Sequence, residues 1–240
     1  LAELVLALQS DHFEVRPGRL YNVPVLQMAC LGELASCNGN NETNPYMVTS
    51  LPPVGYPWDQ DPPLAFMLRR DEAVVLVGRT PPPMAYFSWR SFVFSRYLPH
   101  EGVRRNIFNS LGDPNNMLTM KTQGGPGGDP FDRAYVLVAA ADQGVLDRVL
   151  AAVGVAGYPG SIVNVDSMSP NLARLGLEAS NDAFILLQRL TAPQPGFEGA
   201  VRDYIADPPG AGLRLTPNPA VDPAHYRPLP VEKLRPRGTG

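Results

Sequence analysis

"MAYFSWRSFVFSRYL", residues 84–98, holds six aromatic residues, three serines and two arginines in fifteen positions. Two periods compete in it. Tyr86, Trp89, Val93 and Tyr97 fall at i, i+3, i+7 and i+11, one face of a 3.6-residue repeat, and Ser88, Ser91 and Ser95 form a second stripe. The prolines at 81–83 suit entry into a helix, since proline is tolerated in a first turn. The run is also rich in strand formers. The helical stripe predicts a helix over 84–98.

That choice sets the fold around it. The run before it, 73–77, is apolar and rich in β-branched residues, a buried strand that ends at Gly78 and Arg79. After it come short strands at 116–122 and 133–142, a helix at 144–153 and a strand at 161–167. The order from 73 to 167 then reads β-α-β-β-α-β. This is the split βαβ of an α+β, ferredoxin-like core with an antiparallel sheet. Residues 1–63 read as an N-terminal, β-rich extension with a long proline-rich loop. Residues 64–191 are the core. Residues 192–240 read as an extended proline-rich arm or linker that adds little stability and contacts a neighbouring domain or chain.

Composition bounds the function. The 240 residues carry a net charge of −3, which argues against nucleic acid, because phosphate binding needs a basic face. No stretch reaches the ~18 apolar residues of a membrane span. The 27 prolines and 22 glycines cluster at 45–63, 80–83, 124–130, 193–195 and 207–236, and so punctuate the chain. Cys30 and Cys37 flank Gly32, and Asn41-Glu42-Thr43 is a glycosylation sequon. Together with a start at Leu1, these predict a Cys30–Cys37 disulfide, a glycan on Asn41, and a secreted or lumenal, extracytoplasmic location.

Strong catalytic motifs are absent. No phosphate loop, dinucleotide fingerprint or zinc-protease helix occurs, so no cofactor and no metal site are expected. "SLGDPNN" (110–116) and Asp222-Pro223-Ala224-His225 together faintly resemble the two blocks of the SGNH hydrolases. In that family a Gly-Asp-Ser-Leu block carries the nucleophile and an Asp-x-x-His block carries the base. Pro114 stands where the serine belongs, so the chain departs from the family at the nucleophile. Asp-Pro is equally a turn start. Ser110 with His100 as base, and Asp142 at a strand end, are the remaining catalytic candidates, leaning towards a hydrolase. Asp142 equally reads as the N-cap of the helix that follows.

The stretch from 79 to 97 is the best candidate for a working surface. Arg79, Tyr86, Trp89 and Arg90 combine rings with guanidiniums, which can hold an apolar body and grip a carboxylate. No acidic residue occurs between Glu72 and Glu101. The expectation is an enzyme or ligand-binding domain for a small, partly apolar, anionic organic molecule. The alternative is a non-catalytic interaction domain with its aromatics packed inward.

Overall fold

The computed structural model describes residues 1–32, 45–55, 64–125 and 128–231; Cys37 and Asn41, and so the expected bridge and glycan, lie outside them. Cys30 is exposed at the end of a short helix, α2 (Val25–Cys30), with no disulfide partner among the described residues. Among the described residues no helix is long and apolar enough to cross a membrane.

Residues 84–98 are not a helix. They form the longest strand of the chain, β4 (Met84–Leu98). Phe87, Trp89, Ser91 and Val93 are buried on one face, while Tyr86, Arg90, Phe92, Phe94 and Arg96 are only half-buried on the other. This is a two-residue period. Side chains alternate across a strand, so Tyr86 and Trp89, neighbours on a helical stripe, lie on opposite faces. The crowded β-branched and aromatic side chains fit a pleated surface better than a helix turn.

The ferredoxin-like reading falls with it. The molecule is one mixed, strongly curled sheet, a half-barrel with few helices. Its other strands are β1 (Phe13–Asn22), β2 (Tyr46–Ser50), β3 (Ala73–Arg79), β5 (Val103–Ser110), the two-residue β6 (Asn115–Asn116), β7 (Ala134–Ala140), β8 (Val163–Ser167), β9 (Ala183–Pro193) and β10 (Gly210–Pro217). The spatial order is β5-β4-β9-β2-β1-β10-β3-β7-β8, with β6 beside β4. All described pairs are antiparallel except β7–β8. The parallel pair needs a crossover, supplied by α3 (Gln143–Val155).

The sheet draws strands from every part of the chain. β10, from the stretch read as an arm, sits between β1 and β3, with α4 (Glu198–Ala206) just before it. Residues 218–231 lie against the domain: Leu229 N–H donates to Ala141 O at 2.8 Å, and Ser169 Oγ donates to Leu229 O at 2.9 Å.

Two apolar layers result. One face of β1, β3, β7 and β10 packs under α3 and the N-terminal helix α1 (Ala2–Ser10), through Leu4, Leu8, Val75, Val138, Val145 and Val149. The other face curls around Phe87, Trp89, Tyr135, Leu137, Phe184 and Leu186. Side chains bridge β4 and β8 across the gap in the curl. Asp166 on β8 accepts Ser91 N–H at 3.1 Å and Ser91 Oγ–H at 2.7 Å. The Asn164 carboxamide pairs with both backbone groups of Lys121, at 2.8 and 2.9 Å, as a neighbouring strand would.

Candidate ligand-binding site

The candidate site, termed the basin, is the outward sheet face around Ser88 on β4. Ser88, almost fully buried, is its floor, and it pairs directly with Arg189 on β9 and Asn116 on β6. Side chains directly opposite in a sheet share a face. Arg189 is in turn opposite Tyr46 on β2, and Tyr86 opposite Thr191. Tyr86 and Arg90 stand two positions either side of Ser88 on β4, about 7 Å along the strand each way. Tyr86, Arg90 and Arg189 therefore adjoin Ser88 on this face, with Tyr46 one strand beyond Arg189.

Both arginines of the basin are uncommitted. Arg189 is exposed and has no ionic or hydrogen-bonding partner among the described residues. The Arg90 guanidinium lies 5.8 Å from the Phe92 ring centroid, and its Nε–H is buried without an acceptor. An unmet buried donor is costly, so a side-chain rotation that brings this N–H to an incoming acceptor relieves an existing deficit. Next to Arg90, Phe92 and Phe94 are met edge-on by Phe108 of β5, at 6.4 and 4.9 Å between centroids. Phe108 stays 52% exposed and has a left-handed backbone, φ 46°.

Of the ligand-binding residues expected from sequence, Tyr86 and Arg90 share this basin. Trp89 does not: it is 0% exposed on the inner face, with its ring 6.2 Å from Tyr135. Arg79 is elsewhere, at the end of β3. Its Nε–H donates to Asp132 Oδ1 at 2.9 Å and its Nη2–H to Asp132 O at 2.6 Å. A carboxylate 53 residues away thus neutralises the arginine whose local sequence held none.

The catalytic candidates are not brought together. His100 is exposed in the turn before β5, 3.4 Å from Glu101, and Ser110 is exposed at the far end of β5. Seven strand steps, about 24 Å, separate the two ends of β5. Asp142 caps α3, accepting Gly144 N–H at 2.8 Å and Val145 N–H at 3.1 Å, and it also accepts Arg227 N–H at 2.5 Å. Asp222 caps its own turn through Ala224 N–H at 2.9 Å, and His225 beside it is exposed.

Beneath the rim, polar groups enter the curled interior. Gln188, directly opposite Trp89, donates from Nε2 to Tyr204 Oη of α4 at 3.0 Å, and Tyr204 Oη–H donates to Arg79 O at 3.2 Å. Burial pushes the phenols of Tyr204 and Tyr135 above the usual tyrosine range.

Arg189 and Tyr46 were missed from sequence. Arg189 is the only charged residue in the apolar run 183–191, a signal that its side chain leaves the core. Tyr46 joins the basin only through the non-local pairing of β2 with β9. Comparisons with protein-family models, curated proteins and solved structures found no match.

Proposed function

We propose that this chain is a binding protein for a small, partly apolar organic anion, held in the Tyr86–Arg90–Arg189–Tyr46 basin. One observation carries the reading: two unpaired guanidiniums, one with a buried and unmet N–H, share a face with half-exposed rings in a protein of net negative charge. A local positive potential attracts anions. The planar guanidinium fork matches a carboxylate, and the rings cover an apolar body.

No catalytic step enters this reading, because nucleophile, base and carboxylate candidates are far apart or committed to caps. The second reading is a protein partner bearing an acidic segment. It is favoured by the floor being a sheet face, since flat sites enriched in Tyr and Arg suit interfaces.

Benzoate titrated calorimetrically into the protein tests the proposal. A charge-assisted hydrogen bond contributes ~1.5–3 kcal/mol, so Arg90→Met/Arg189→Met is expected to weaken binding about tenfold or more with the fold intact. Equal affinities for wild type and variant, or no benzoate binding at all, would overturn it.

A further inference from the structure

An opening of about 570 Å³ lies between the end of β1 and α4, lined by Leu20, Tyr21, Asn22, Arg202, Ile205 and Ala206. Its size is within the ~300–1,000 Å³ of small-molecule sites. Leu20 and Asn22 are alternate residues of β1 and share its inner face. Leu20 belongs to the inner core, and so does Met47, directly opposite Asn22. Ile205 packs on the same core from α4. Tyr204, bonded to Gln188 and to Arg79 O, holds the helix there. The opening therefore has an apolar wall on each side, and it lies across the sheet from Arg90 and Arg189.

Two polar side chains on this lining lack a partner. Arg202 has no ionic or hydrogen-bonding partner among the described residues. Glu198, one turn before it, accepts Gly196 N–H at 3.0 Å instead. Among the described residues no carboxylate lines the opening. Asn22 Oδ1 is buried without a donor. An unmet buried acceptor is costly, so a turn of the carboxamide towards a donor in the opening relieves an existing deficit. We propose that this opening binds a small apolar carboxylate that also carries an N–H donor. The carboxylate meets the Arg202 fork, the N–H meets Asn22 Oδ1, and the apolar side chain leaves water against Leu20 and Ile205. An N-acylated apolar amino acid carries all three groups in one molecule. The site is independent of the outward face and of the anion proposed there.

The test is calorimetric titration of the whole protein with N-acetylleucine, with N-acetyl-N-methylleucine, which lacks the donor, and with N-acetylleucinamide, which lacks the charge. Wild type is expected to bind N-acetylleucine saturably, the N-methyl analogue about fivefold or more weakly, and the amide about tenfold or more weakly. Arg202→Gln should abolish the preference for the acid over the amide. Asn22→Ala should abolish the preference for N–H over N–CH₃. Arg202 is exposed, so its variant is expected to fold; if Asn22→Ala does not, Arg202→Gln and the N-methyl comparison decide. No saturable binding of N-acetylleucine, equal affinity for its N-methyl analogue, or wild-type affinity in Arg202→Gln overturns the proposal. Binding that survives Arg202→Gln but is lost in Arg90→Met/Arg189→Met overturns it too, and assigns the anion to the outward face alone.

Discussion

Arg214 and Glu72 are an ion pair with side chains 0% and 1% exposed. Glu72 also accepts Thr216 Oγ–H at 2.6 Å and Arg69 N–H at 2.8 Å. Removing one partner leaves a buried charge alone, which costs about 3–5 kcal/mol. Arg214→Met should therefore lower the melting temperature by roughly 6–20 °C for a chain this size, and Arg214→Met/Glu72→Leu should recover much of that. A single variant within 2 °C of wild type would show that the pair is dispensable. Burial raises the Tyr135 and Tyr204 phenols, so the folded state favours their protonated forms. Their contribution is constant below the unfolded value near pH 10 and is lost as pH rises above it, through the folded values. Each contributes up to ~1.4 kcal/mol per pH unit in that window. Urea melts between pH 8 and 11 should show Tyr135→Phe flattening the alkaline decline; an unchanged slope would mean that this phenol ionises freely in the fold. Asp142 shows what one residue can reveal in sequence. Its capping role was legible from a strand end followed by an amphipathic helix. Its third bond, to Arg227 N–H, joins residues 85 positions apart and has no local signature.

β4 is the element on which the sequence is most ambiguous. Aromatics at 86, 89, 93 and 97 satisfy a helix period only if Val93 counts with them, whereas burial alternates from 89 to 95. The serines decide it physically. Ser91 faces inward because Asp166 meets it, and Ser88 faces outward between Arg189 and Asn116. Neither reason is local. By contrast α3, β3, β7 and β8 were legible, since each is a run whose own pattern fixes its burial. β10 was obscured by the prolines around it, though "GAGLRLT" has none. Prolines bound this strand and leave its ladder intact. Truncation after Asp207 removes β10 from between β1 and β3, so the remaining chain is expected to lose its cooperative melting transition. A truncated protein melting within a few degrees of the intact one would contradict the sheet order.

On the scale of the whole molecule, one curled sheet ties the chain's ends to its middle. β1, β2 and β10 are the central strands, and the segments between β3 and β9 supply both flanks. The curl places the inner half of 84–98 in the core and leaves its outer half as a face. An aromatic-arginine stretch thus packs through one set of alternate residues and presents the other set outward. Neither sheet order nor curl follows from the pattern of any single run, because both depend on pairings between strands far apart in sequence. The proposed binding place is the outward sheet face around Ser88. Benzoate titrated into ¹⁵N-labelled protein, followed by amide chemical shifts, locates it most directly. Saturable shifts clustered at Tyr86, Ser88, Arg90, Arg189 and Tyr46, absent from Arg90→Met/Arg189→Met, are the expected result. Shifts clustered at Arg79, or none above those of an acetate control, would contradict it.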